Sequence, residues 1–174
     1  MPLGVGARWY PSCSARGRRH SFAMKQPRVC GVSRLNSLLH CELSAVEIYN
    51  LAISRVGDDY AEESFALSRL AIAHQTQSNL LREAIHRRGG EVMAGGPDWA
   101  PYAKAIADSP TIFGDVMALE ALKEAEMRGL EQYRAALADE AMDASGRNLL
   151  IASLIPGKER HIGVLDALIR RIQD

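Results

Sequence analysis

Six side chains in this sequence have the types and the spacing to do chemistry together: Glu42, His74, Gln77, Glu126, Lys158 and His161. Each interrupts an apolar stripe that recurs at helical spacing, so each should face the inside of a helical core. Two carboxylates and two imidazoles (Glu42, Glu126, His74 and His161) would suit a single Zn, Fe or Mn ion. Lys158 argues the other way, because an ammonium beside a metal must point away or lose its proton. A lone buried carboxylate is costly unless it is paired, protonated or metal-bound, so six such groups at one level call for a common explanation.

The elements that must position them follow from periodicity. From Leu35 the stripe Leu35, Leu39, Glu42, Val46, Tyr49, Ile53, Val56 predicts a first helix, closed by the turn "GDD" at 57–59 with Asp58 or Asp59 as the next N-cap. A second helix carries Leu67, Leu70, His74, Gln77, Leu81, Ala84 and Arg88 and stops at Gly89-Gly90. Glycines and prolines then mark a long connection with one helix-compatible piece around Tyr102–Ala107. Ser109-Pro110 reads as the N-cap and first turn of a third helix, carrying Leu119, Leu122, Glu126, Leu130, Tyr133 and Leu137. After "MDASG" a fourth helix carries Ile151, Leu154, Lys158, His161, Leu165, Leu168 and Ile172. Pro156 inside it should either kink the helix, aiming Lys158 and His161 inward, or break it and begin its second half.

An offset of 84 residues maps Leu35, Leu38, Glu42, Glu47, Tyr49 and Ala52 onto Leu119, Leu122, Glu126, Glu131, Tyr133 and Ala136 with identity at each position. The same offset carries Leu70, Leu81, Ile85 and Arg87 onto Leu154, Leu165, Ile169 and Arg171. Two copies of one αα-hairpin, joined by a long crossover, predict an all-α four-helix bundle over residues 33–174. Glu42 then stands level with Glu126, His74 with Lys158, and Gln77 with His161.

The segments "ELSAVEIY" (42–49) and "EMRGLEQY" (126–133) share the pattern Glu-x-x-small-x-x-x-Tyr. That pattern resembles the first and third helices of ferritin-like, rubrerythrin-type proteins. Together with "LNSLLHCELSAVEIY" and "LIPGKERHIGVL", it is most similar to a ferritin-like family known only as a domain of unknown function. The resemblance implies a di-iron site built from one Glu on each of the first and third helices and Glu-x-x-His on each of the other two. Glu42, Glu126 and His161 match; His74-x-x-Gln77 and Lys158-x-x-His161 depart, and both bridging glutamates are missing. Three readings stay open: a degenerate di-iron site, a single ion on Glu42, His74, Glu126 and His161, or a metal-free network. In the last, Lys158 sits between the two glutamates, and His74, Gln77, His161 and the Tyr49 and Tyr133 hydroxyls complete the hydrogen bonds.

Composition narrows the function classes. Residues 1–32 carry six Lys/Arg and no acid, and the rest holds 15 basic against 21 acidic side chains, which gives nucleic-acid binding by the body no electrostatic support. The basic, Gly/Pro/Ser/Arg-rich stretch 1–32 is expected to be a disordered tail: an upstream extension before Met24, a simple arm, or a targeting segment. Cys13, Cys30 and Cys41 form no C-x-x-C pair. No apolar run is long enough for a membrane span, so a cytoplasmic protein is expected. Glu47 and Glu131 fall off the inner stripe and should be solvated; Trp99 and Tyr102 should cap a bundle end, and His86 should lie on the surface. The reading favours a non-catalytic structural or binding module without a resident metal and able to self-associate; a metal-dependent oxidoreductase or metal-handling protein using a single Fe, Mn or Zn ion is the alternative.

Overall fold

The computed structural model describes residues 28–57, 59–93, 100–109 and 116–173, with side chains from Gly31 onward. Residues 1–27, Asp58, Trp99 and Pro110 lie outside the described set, and with them the readings of the tail, of Asp58 as a cap, of Trp99 and of the first-turn proline. Among the described residues every regular element is helical: α1 (Arg28–Ile53), α2 (Ala61–Arg87), α3 (Ala100–Asp108), α4 (Val116–Ala138), α5 (Ala144–Leu149) and α6 (Ile155–Gln173), with a π-helical turn over Leu150–Leu154 between the last two.

The chain is a four-helix bundle. α1 packs along α2 and α4 along α6, while the crossover helix α3 lies against α1 and α4. α1 starts at Arg28, ahead of the boundary expected at residue 33, and ends at Ile53, so Val56 packs on the core from the turn rather than from the helix. α2 takes Tyr60 as its N-cap residue, with no side-chain hydrogen bond, so Asp59 is not the cap. At its other end Gly89, at φ 68°, donates to His86 O (2.8 Å) and Gly90 to Ile85 O (3.1 Å). This paired closure needs a left-handed residue, which explains the glycine there. The Ser109 amide donates to Ile106 O at 3.3 Å and closes α3, and the third long helix is described over Val116–Ala138; residues 110–115, on which the reading of Ser109 as its N-cap depends, lie outside the described set. Asp143 caps α5 by accepting from the Gly146 amide at 2.7 Å.

The fourth rod neither breaks nor simply kinks. Pro156 has no N–H to offer the carbonyl four residues back, and the chain widens just before it, with the Ile155 amide bonding Leu150 O, five residues away. The wider turn shifts the register. Leu150 and Leu154 fill the core, and Ile151, expected inside, is 56% exposed. Pro156 then sits in the first turn of α6.

The interior is two apolar clusters. One holds Leu35, Leu39, Leu81, Ile85, Leu150 and Leu154 at the end where α1 begins; the other holds Ile48, Leu67, Leu119, Leu122, Leu165 and Ile106 at the α3 end. Tyr102 is buried at that second end, as a capping residue should be, while Glu47, Glu131 and His86 are exposed. No described helix is long and apolar enough to cross a membrane.

Candidate functional site

The polar residues form the layer between the clusters. Glu42 on α1, His74 on α2, Glu126 on α4, and Lys158 and His161 on α6 are all buried. Their helices bring them inward because each sits three or four residues from core leucines, isoleucines or tyrosines on its own helix.

Lys158 Nζ lies 2.8 Å from Glu126 Oε2 and 3.0 Å from Glu42 Oε1, so it stands between the two carboxylates as expected. Two features of α4 admit it. Gly129 leaves open the space that its stem crosses, since a Cβ there would lie 3.1 Å from Lys158 Cε. Tyr133 presents its ring face 5.9 Å from Nζ.

The tyrosines are exchanged between the two halves. Tyr49 of α1 donates to Glu126 Oε1 of α4 at 2.8 Å, and Tyr133 of α4 donates to Glu42 Oε1 of α1 at 2.7 Å. The exchange is symmetric under the 84-residue offset. His74 completes the layer by touching both carboxylates, Nδ1 at 2.8 Å from Glu42 Oε2 and Nε2 at 2.7 Å from Glu126 Oε1. A neutral imidazole has one N–H, and its bare nitrogen would then face a carboxylate lone pair; both contacts are favourable only when both nitrogens are protonated.

Electrostatics agree with that protonation. Burial and Lys158 both work against charge on His74, but Glu126 and Glu42 outweigh them and raise its pKa. Burial pushes the Glu42 carboxyl up, yet the Lys158 ammonium and His74 pull it down to about 2. Glu126 is held well below the usual carboxylate range against the same burial, again by Lys158 and His74. Lys158 is raised above its ordinary value because the two glutamates overcome its desolvation. Two anions therefore face two cations, and the layer is neutral.

Two expected members do not join this network. His161 Nδ1 is 3.5 Å from Glu126 Oε1 and makes no hydrogen bond; burial lowers its pKa and keeps it neutral. Its ring instead meets His74 edge-on at 4.7 Å. Gln77 does not reach the carboxylates, and its Oε1 has no partner among the described residues. Its amide rests over Gly157, where a Cβ would overlap Nε2. The 84-residue offset placed Gln77 and His161 at matched heights, but height along the bundle does not set which way a side chain turns.

Sequence reasoning took Cys41 only as an unpaired thiol, and it is one. Its buried thiol donates to Gln132 Oε1 at 2.6 Å, and burial, partly offset by Lys158, pushes its pKa up to about 12. It is thus an inert packing thiol, and its helical offset of one residue from Glu42 gave no hint of that.

The donor chemistry tests the metal readings. A di-iron centre needs carboxylates free to bridge, and here all four carboxylate oxygens already accept from Tyr, His or Lys donors, with His74 and Lys158 at the positions of the missing bridging glutamates. The residues do not fit two irons. His74, Glu126 and His161 each offer a ligand atom, and these atoms lie within 4.8 Å of one another in a fully buried group, a set that could hold one ion.

No family model and no curated protein matches this sequence. Among solved structures, the chain is similar to a crystal structure described as ferritin-like, diiron-carboxylate proteins from Bacillus anthracis str. Ames, with a TM-score of 0.65 and 19% identity. The match covers 84% of this chain and 99% of that one. By its fold, then, the chain is a ferritin-like four-helix bundle.

Proposed function

We propose that this bundle is a metal-independent, non-catalytic binding module in which two protein cations take the place that metal ions occupy in di-iron relatives of the fold. One observation carries the reading: His74 and Lys158 together contact both carboxylates at 2.7–3.0 Å. An imidazolium and an ammonium neutralise Glu42 and Glu126, and with the two tyrosine hydroxyls they engage all four carboxylate oxygens. The layer fixes how the two hairpins meet, and the module acts through its surface or by self-association.

Elemental analysis of protein purified without chelator, with an optical spectrum, tests this. The expected result is far less than one equivalent of Fe, Mn or Zn per chain and a melting temperature unmoved by chelator. One equivalent of metal, lost in H161A, would sink it.

The buried set His74, Glu126 and His161 favours one second reading, a single-ion oxidoreductase or metal-handling protein. Binding would require His74 to give up its second proton, so metal uptake would release protons and strengthen as pH rises.

A further inference from the structure

The two buried groups left out of the network, Gln77 and His161, lie at the edge of a groove of about 300 Å³ between α2 and α6. That is the lower end of the size range of small-molecule sites. Among the lining residues the only full charges are the guanidinium groups of Arg69 on α2 and Arg160 on α6. Neither has an ion-pair partner among the described residues, although residues 33–174 are acidic overall. Their own helices supply none: residues three and four away are Phe65, Ala66, Ile72 and Ala73 around Arg69, and Pro156, Gly157, Gly163 and Val164 around Arg160.

The space beside these arginines is kept open by small residues. Gly157 lets the Gln77 amide approach the α6 backbone, and the position a Cβ would take there is 4.0 Å from Arg160 Nη2, so amide and guanidinium converge on one bare Cα. Gln77 is itself more than nine-tenths buried, and the amide atom it lays over Gly157 is the N–H donor Nε2, the end of the amide that can serve an anion. Leu70 and Val164 give the groove an apolar wall.

We propose that this groove binds a small organic carboxylate, its oxygens held between Arg69 and Arg160 beside the Gln77 amide and its short apolar portion against Leu70 and Val164. Two guanidinium donors match the oxygens of a carboxylate, and the absence of an acid in the lining excludes a cation. The wall selects an organic anion over inorganic phosphate. The proposal goes beyond the metal-independent reading and stands whether or not an ion can enter the core.

The test is calorimetric and NMR titration of the chelator-treated full chain with butyrate, butyramide and inorganic phosphate. Chelator treatment separates the two ideas, because metal found in untreated protein would overturn the earlier reading and leave this result intact. The expected outcome is one saturable butyrate site that shifts the Gln77 side-chain amide signals, with butyramide at least ~10-fold weaker. R69Q and R160Q should each weaken butyrate at least ~3-fold and together ~10-fold, in line with losing exposed charge-assisted contacts. Both arginines are exposed, so the variants should melt as the wild type does. Absence of saturable butyrate binding, equal affinity for butyramide, tighter binding of phosphate, or unchanged affinity in the double variant would each overturn the proposal.

Discussion

Replacing Lys158 with methionine removes one ammonium and keeps the length of the side chain, so it probes charge without opening a large cavity. The wild-type layer holds two carboxylates against the Lys158 and His74 cations. In K158M one negative charge is left uncompensated in a layer with almost no solvent access. Breaking a buried ion pair from one side costs about 3–5 kcal/mol. Against its burial, the Glu42 carboxyl is held below its ordinary range by Lys158 first and His74 second, so loss of the ammonium removes its largest favourable partner. For a domain of this size that loss is a fall in melting temperature of roughly 6–20 °C. Guanidinium denaturation of K158M and wild type at pH 7 and pH 5 measures it. The gap should narrow at pH 5, because a carboxyl without its ammonium titrates upward and can take up a proton. E42Q in the K158M background should recover part of the loss, since it removes the orphaned charge. A K158M penalty under about 0.5 kcal/mol at pH 7, the scale of an ordinary surface change, would refute the reasoning.

Three further outcomes follow from the same geometry. The triple substitution H74E, Q77H and K158E places Glu-x-x-His on both α2 and α6, and elemental analysis should then find close to two irons per chain, against far less than one expected for the wild type; a metal-free triple variant would contradict the account of the layer. Because the folded pKa of Glu42 lies below its unfolded value, its stabilisation is fully present above about pH 4.5 and lost as pH falls toward about 2; denaturant midpoints flat across that window would argue against a buried ionised pair. Gly163→Ala has open space around its Cβ and should gain about 0.5–1 kcal/mol of helix stability. Gly129→Ala crowds the Lys158 stem, which the two glutamates hold in place, and chemical denaturation should show a net loss instead.

Much of the site could be read in the chain before any coordinates. Glu42, Tyr49, Glu126, Tyr133 and Lys158 lie on apolar stripes, and a 3.6-residue period puts them on inner faces whatever the partner helix is. A lysine ammonium where a bridging carboxylate belongs, with the other bridging glutamate missing as well, argues against two irons from charge alone. Other features were out of reach because they depend on distances between helices. Periodicity gives a face, but not whether Gln77 reaches a carboxylate or stops over Gly157. It does not tell that the π turn before Pro156 carries Ile151 outward and Leu150 inward, since a local widening of the helix breaks the period on which the reading rests.

By itself the sequence determined the helical class, the pairing of helices into two hairpins and the set of polar residues that face the core, because each is a consequence of side-chain type at a fixed angular step. Only the tertiary structure decided who bonds whom. His74 becomes an imidazolium because two carboxylates from different helices arrive at its two nitrogens, and each tyrosine serves the glutamate of the other half. Those are relations across the bundle, set by helix separation and rotamer, and one-dimensional spacing carries no record of them.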